Sequence, residues 1–504
     1  MSQSQTVAYL ASGRAFVEGG PVEVIETHGA YVFLAGDTAL KLKRAVKYDY
    51  MDLSTVSQRK AMIARELELN RASAPQIYRD MVPVTRGAYG LALDGQGEIV
   101  DWVLRMWRFP AESELTRIVG RGALDDGLSK KVGQEIAAYH AGVPVIRRPG
   151  RPLVADILEE LGRVFDEFPG AAGTERVAEW RETAAARLAT VGQLLDRRGE
   201  GGHVRRAHGD LHLRNIVVLD GRPVLFDALE FDESLGTCDV LYDIAFLVMD
   251  LCHRGLRRQA CRVLDAWLSA ARGAEDTSLA GLPLFLSVRA AIRAMVLLQT
   301  DMAQGSSDRS AQEVAAYLDL ACTTLNPAPP RLVAVGGYSG SGKSVLARAL
   351  APIVGALPGA VLLSTDEERK AGLSGTAKLA PTAYAAGHRE SVYRHIFSRA
   401  ASVLAAGHSV LIDATFMDSR LREAAEDAAR QAGVPFLGLW LNAPIPVLEA
   451  RLRGRQGDAS DADVAVLQRQ LATGAGCLDW HRLDAAGTPD MVLEAARRLP
   501  AIAA

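Results

Sequence analysis

Residues Gly337-Tyr-Ser-Gly340-Ser341-Gly342-Lys343-Ser344 follow an apolar run and open an amphipathic one. The spacing is G-x-x-x-x-G-K-S, a strand-to-helix loop whose backbone amides can turn inward around a phosphate. The helix N-terminus adds its dipole, Lys343 reaches the β and γ oxygens, and Ser344 can ligate Mg2+. Gly337, Gly340, Ser341, Gly342, Lys343, Ser344 and Val345 are therefore the expected nucleotide contacts. Two acids close later apolar runs, Asp366 after VLLST and Asp413 in SVLID. In an open parallel sheet the carboxyl ends of strands line the ligand crevice, so both should face the phosphates. One can serve as a general base for an incoming hydroxyl, and the other can hold Mg2+ directly or through water. Arg451 and Arg455, with Arg453 between them, end a helical stretch before GDASDAD and offer cations for a phosphoryl group in transfer.

A second constellation lies in the first half. His208-Gly-Asp210-Leu-His212-Leu-Arg-Asn215 is followed by Asp227 in VLFDALEFD. An Asp five residues before an Asn, then an Asp after an apolar strand, is the pattern of phosphoryl transfer. Asp210 would take or orient the substrate hydroxyl proton, while Asn215 and Asp227 would hold Mg2+ against the ATP phosphates. Short oxygen ligands from adjacent loops suit a six-coordinate hard cation. Upstream, Lys41 and Lys43 in TALKLK point to one face of a strand, opposite Leu40 and Leu42. Either could enter a nucleotide cleft; the A-L-K spacing favours Lys41. Glu66 in RELELN is its expected ion-pair partner, with Glu68 the alternative.

These residues need two kinds of scaffold. Residues 22 to 43 alternate as three short strands broken at Gly29-Ala30 and Gly36-Asp37, followed by a helix over 54–70 capped by Ser54 and a strand over 99–107. Periodicity is helical from about 111 to 200 and from 236 to 325, with a strand-and-loop stretch at 203–232 between. Three prolines in Asn326-Pro-Ala-Pro-Pro330 neither continue a helix nor pair in a central strand, which marks a linker. The sequence then alternates strand and helix, the order of an α/β domain with a parallel sheet. The expected organisation is thus one domain over 1–325, a linker over 326–330, and a second domain over 331–504.

With these motifs in place, residues 331 to 500 resemble the small P-loop kinases, the group of gluconate kinase, chloramphenicol phosphotransferase, the polynucleotide kinase module and zeta toxins. That resemblance implies Asp366 as the base for the acceptor hydroxyl, leaves Asp413 to the metal, and suggests Arg369 and Arg420 near the acceptor. Residues 1 to about 325 resemble the aminoglycoside phosphotransferase and choline kinase family, through HGDLHLRN. The resemblance implies a two-lobed protein-kinase-like fold with ATP in the cleft. It also implies an adenine-contacting linker near Met106 and a supporting segment with Asp239 and Asp243. The G-x-G-x-x-G of protein kinases is missing between the first two strands, where THGA makes a short turn. The tandem order also resembles bacterial proteins described as bifunctional. The fold class expected is therefore α+β and α/β: a kinase-like fold, then a P-loop NTPase fold with a parallel sheet.

Composition narrows the partners. The chain has 504 residues, 49% hydrophobic and 23% charged, with 57 basic and 60 acidic residues giving a net charge of -3. A disordered chain is excluded, and nucleic-acid binding by a basic surface is disfavoured. The cysteines, Cys238, Cys252, Cys261, Cys322 and Cys477, are odd in number and contain no C-x-x-C, so neither a disulfide framework nor a zinc site is expected. No basic-then-apolar leader and no uninterrupted apolar stretch near ~20 residues is seen, which points to a cytoplasmic protein without a membrane span. The expectation is a bifunctional ATP- and Mg2+-dependent phosphotransferase acting on small hydroxylated metabolites, such as sugars or aminocyclitols. His140 and Arg289 are candidates for an acceptor pocket. The alternative is a sensor or scaffold in which one domain binds ATP without turnover. Oligomeric state has no readable signal.

Overall fold

The structure, a computed structural model, describes residues 3–17, 19–48, 51–168, 170, 173–305, 309–370, 386–454 and 463–503. The chain packs as two compact units. The first comprises Met1–Asp125, Ala138–Leu153 and Asp196–Leu247; the second comprises Asp126–Ala137, Val154–Leu195 and Val248–Ala504.

In the first unit, strands β1 (Glu23–Glu26), β2 (Ala30–Ala35), β3 (Thr38–Lys43), β6 (Tyr78–Gly87), β7 (Gly90–Leu93) and β8 (Glu98–Trp107) form an antiparallel sheet in the order β1-β2-β3-β8-β6-β7. Strands β4 (Lys47–Tyr48) and β5 (Met51–Asp52) make a separate short ribbon. Alternation sorts the side chains of β3. Leu40 and Leu42 pack with Phe33, Val84, Val103 and Leu10 on one face. Ala39 packs with Ile63, Leu104 and Met106 on the other, the face that Lys41 and Lys43 share. The three strands expected over 22–43 fall where the turn residues put them.

Helix Val56–Arg71 lies against the second face, and its cap differs from expectation. Thr55, not Ser54, is the N-cap: its Oγ1 accepts from Gln58 N at 3.2 Å while Gln58 Oε1 accepts from Thr55 N at 3.0 Å. Ser54 instead donates its hydroxyl to Asp52. A reciprocal capping box satisfies two orphan amide donors, which a lone serine does not. Strands β6 and β7 are additional to the sequence reading. Pro83 disguises β6, and β7 pairs only from Val84 onward, so the missing N–H falls where the outer side of the strand is unpaired.

Below the sheet, β9 (Val204–Arg206) pairs with β12 (Thr237–Asp239), and β10 (Ile216–Leu219) pairs with β11 (Arg222–Leu225) through a turn at Asp220-Gly221. Both turn residues have positive φ, the geometry of a two-residue hairpin loop.

The second unit joins long helices to a parallel sheet. Strands β13 (Leu332–Gly337), β14 (Val361–Ser364), β15 (Val410–Asp413), β16 (Phe436–Asn442) and β17 (His481–Asp484) run in the order β14-β15-β13-β16-β17. All neighbours are parallel. β13 and β14 fall on the apolar runs that precede the glycine-rich loop and Asp366, and β15 falls on the run that Asp413 closes. The order reverses about β13, so the loop leaving its carboxyl end opens at the topological switch point. One face of the sheet carries Val333, Val335, Leu411, Leu439 and Leu441 into a core with Leu346, Leu350 and Val492.

Helix Asp276–Ala303 is long and apolar enough to cross a membrane by length and composition. Arg289 and Arg293 interrupt it, so no uninterrupted apolar run in it reaches the ~20 residues of a membrane span. Its most apolar part is two-thirds buried, the packing of a core helix.

Candidate active sites

In the first unit, β3 and helix Val56–Arg71 bring their charges together. Lys41 Nζ is 2.7 Å from Glu66 Oε1 and 2.7 Å from Asp227 Oδ1. Lys43 Nζ is 2.6 Å from Glu66 Oε2 and 2.5 Å from Glu230 Oε1. Glu66 thus serves both lysines, while Glu68 is exposed and paired with Arg65. Of the two, Lys41 is the lysine that reaches Asp227. Burial alone would lower the Lys41 pKa, yet Asp227 and Glu66 raise it well above the ordinary value. Burial acts upward on Asp227, but Lys41 outweighs it and holds the carboxyl below its usual range. The Asp227 side chain is nevertheless 40% exposed, so it can meet a cation from solvent.

The loop 208–215 is fixed from several sides. Asp243 accepts from His208 N at 3.1 Å and from Gly209 N at 2.8 Å, and His140 Nε2 lies 3.0 Å from it. Asp239 takes a bidentate pair from Arg198 and accepts from Leu241 N. Asp239 therefore anchors Arg198 and the start of helix Val240–His253, whereas Asp243 holds the loop directly. His140 is turned to this buried carboxylate, which corrects its assignment to an acceptor pocket; Arg289 is buried in its helix. Asn215 Nδ2 donates to Asp210 O at 2.9 Å and to Asp210 Oδ2 at 3.1 Å, which turns its amide oxygen away from the loop backbone.

Asp227 adopts φ +61°, a left-handed conformation that Asp tolerates better than most side chains. Several bonds brace it. Asp227 N donates to Tyr78 Oη at 3.1 Å, Ala228 N donates to Asn70 Oδ1 at 2.9 Å, and His208 Nε2 lies 2.9 Å from Phe226 O. Met106 is buried at the end of β8 among Ala39, Tyr78, Val217 and Val224.

In the second unit, Gly340 has φ +83°, and a Cβ there would lie 2.7 Å from Leu448 O. Gly342 has φ +94° and caps helix Lys343–Leu350 from the left-handed region, where glycine costs least. Lys343 Nζ donates to Tyr338 O at 2.9 Å. Ser344 Oγ donates to Asp413 Oδ2 at 2.6 Å, and Ser364 Oγ donates to the same oxygen at 3.2 Å. Burial raises the Asp413 pKa, opposed by Lys343 and the Ser344 hydroxyl. The Ser341 hydroxyl is buried without a partner at the base of the loop. Asp366 opens the short helix Thr365–Lys370 and is 2.7 Å from Arg369 Nη1.

These residues line one cavity of about 870 Å³. Gly340, Ser341, Gly342, Lys343, Ser344 and Val345 are there with Asp366, Asp413, Arg369 and Arg451. Gly337 sits one step below, at the end of β13. The Arg451 guanidinium donates to Ala485 O at 2.8 Å and Gly487 O at 2.9 Å, so it ties the loop after β17 to the cavity wall. Arg455 lies outside the described residues. Arg420 is exposed and paired with Asp418, and does not line the cavity, which corrects its placement near an acceptor.

Among the described residues no three His, Cys, Asp or Glu side chains gather into a metal cluster. The donors present fit Mg2+ instead: Asn215 and Asp227 in one unit, Ser344 and Asp413 in the other, all hard oxygens of the kind Mg2+ takes beside water and phosphate. Sequence reasoning missed Lys43–Glu230, Asn70 and Tyr78 in the first site, and Arg389, Tyr393, Arg469 and Gln470 in the second. Gln470 Oε1 accepts from Ser339 N at 2.9 Å. No motif marks such residues, because they reach the site from other elements.

Fold and geometry define a protein with two phosphotransferase domains of the kinase type. Residues 54–280 match the phosphotransferase enzyme family, and residues 332–475 match an AAA domain. A Mycobacterium tuberculosis protein described as an uncharacterized protein is 29% identical over 488 residues, covering 92% of this chain and 93% of its own. A sugar kinase from Janibacter sp. is 25% identical over 34% of this chain and 98% of its own, with a TM-score of 0.26. A choline/ethanolamine kinase family protein from Mesorhizobium loti is 16% identical, covering 64% of this chain and 94% of its own, with a TM-score of 0.35.

Proposed function

We propose that the chain is a bifunctional ATP-dependent phosphotransferase with one Mg-ATP site in each half, joined by the linker 326–330 and acting on small hydroxylated metabolites in the cytoplasm. The observation that carries this reading is that one chain brings together two sets of side chains whose chemistry suits phosphate and Mg2+ binding. One is Lys41–Glu66 with Asp210, Asn215 and Asp227. The other is Lys343 and Ser344 with Asp366 and Asp413.

In the first site Lys41, oriented by Glu66, would hold the ATP phosphates. Asp210 would receive the acceptor's hydroxyl proton, and its orientation by the Asn215 amide supports that role. In the second, the loop amides and Lys343 would hold the β and γ phosphates, while Asp366 would accept the hydroxyl proton beside Arg369. Mg2+, held by Asn215 and Asp227 or by Ser344 and Asp413, supplies neutralisation of phosphate charge.

The test is product mass for the wild type, Asp210→Asn and Lys343→Ala with Mg-ATP and a pool of sugars, aminocyclitols and aminoglycosides. Each variant should lose a different transfer of about 80 Da, since each motif implies its own γ-phosphate donor. Nucleotide binding to both halves with no acceptor ever modified would overturn the reading in favour of a sensor.

A further inference from the structure

We propose that Arg262, and Asp276 acting through Arg399, are positioning residues for Asp366, so that the acceptor end of the P-loop site is completed in part by side chains preceding the linker. This rests on the reading of Asp366 as the proton acceptor. Helix Thr365–Lys370 carries three successive acids, Asp366, Glu367 and Glu368. Asp366 lines the cavity, and the next two are seized from the other side. Arg262 Nη2, on helix Arg257–Ala270, is 2.6 Å from Glu367 Oε1, with Lys130 Nζ at 3.5 Å from the same oxygen. Arg399 makes a bidentate pair with Asp276, 2.9 Å at each oxygen, and also binds Glu368.

The strand leading into this helix is held in the same way. β14 is the edge of the parallel sheet, and its Leu362 N donates to Asp265 Oδ1 at 3.1 Å. Asp265 and Arg262 sit three residues apart on one helix, so a single rigid element fixes both the strand and the helix that follows it. Arg262, Asp265, Asp276 and Arg399 are all buried.

Buried ion pairs seldom repay the desolvation of their charges, so stability alone is a weak account of this network. A forked guanidinium–carboxylate pair does constrain direction. Here the constrained object is a one-and-a-half-turn helix whose first residues present Asp366 to the cavity. Lys130, Arg262, Asp265 and Asp276 all precede residue 326, so the residues from 331 onward do not by themselves determine where Asp366 stands.

The experiment uses the full-length chain in an Asp210→Asn background, so that ADP release from Mg-ATP with the acceptor pool reports the P-loop site. Arg262→Ala and Glu367→Gln should each lower kcat by about tenfold or more with KM for ATP within about twofold, and Arg262→Lys should recover part of the loss. In parallel, amide hydrogen exchange at 365–370 should rise in both variants and stay unchanged at 343–350. Unchanged kcat with unchanged exchange at 365–370 would overturn the proposal. So would a joint change of kcat, KM and exchange across the whole unit, which marks general loosening. Asp366→Asn is the control: if it leaves ADP release intact, the role given to Asp366 fails, while exchange at 365–370 still decides whether Arg262 holds the helix.

Discussion

Lys41 and Asp227 are 186 residues apart in the chain and 2.7 Å apart in the fold. The lysine leaves the third strand of the upper sheet, and the aspartate follows the hairpin β10–β11, so their contact joins the sheet to the region of the loop 208–215 within one unit. Glu66 occupies the other side of the Lys41 ammonium. Lys41→Met should lower kcat/KM at the first site by roughly 10²–10³-fold, the usual loss of one preorganised charge at a developing anion. Lys43→Met should act differently. It leaves Glu230 without its cation and Glu66 with Lys41 alone, so about 3–5 kcal/mol of stability should go before any kinetic effect is read. Denaturant midpoints beside steady-state rates separate the two.

Ser344 and Asp413 share a hydrogen bond at the mouth of the phosphate loop. If they hold the metal, Asp413→Asn should raise the Mg2+ concentration for half-maximal activity at the P-loop site by roughly tenfold or more. The first site should keep its own Mg2+ dependence. Titrating Mg2+ in the Asp210→Asn and Lys343→Ala backgrounds reads each site alone.

Asp265 is buried against the Leu362 amide, and burial pushes its pKa up from 3.8 to about 7, with Glu367 adding and Arg262 and Arg399 opposing. Between those values the folded protein binds more protons than the unfolded chain, so stability falls as pH rises from about 4 to about 7 and then levels. At 1.36 kcal/mol per pH unit the fall is at most on the order of 4 kcal/mol. Asp265→Asn keeps an acceptor for Leu362 N and should flatten this part of the profile. Urea midpoints at pH 5 and pH 8 for both proteins measure the difference.

The helix that supplies Glu66 begins at Thr55. Thr55→Ala should cost about 1 kcal/mol through loss of the capping box, while Ser54→Ala, which removes an exposed bond to Asp52 and a long one to Gln58, should cost less. Thermal unfolding of the two variants ranks the caps directly.

Much of both candidate sites is legible in the sequence, for a local reason. The G-x-x-x-x-G-K-S loop, HGDLHLRN and the alternation of TALKLK are chemical requirements met within a few residues, and local geometry follows local sequence. Ser54 failed as a cap because two neighbouring hydroxyl residues compete for one role, and the decision fell to Gln58 three residues beyond Thr55. β6 stayed hidden because Pro83 argues against a strand, until the pairing partner shows which side needs no donor.

The sequence by itself determined the two phosphate-binding motifs, the short strands that present them and the change from a helical to an alternating α/β grammar. Strand alternation put Lys41 and Lys43 on one face, since a period of two cannot separate them, and only the A-L-K spacing favoured Lys41. Tertiary structure separated them by placing Asp227 against one and Glu230 against the other. It also turned His140 toward Asp243 and set Arg262 against Glu367. Those pairings lie 103 and 105 residues apart in the chain. Local sequence carries no signal for such distances, because burial of a charge selects its partner only once the elements have packed.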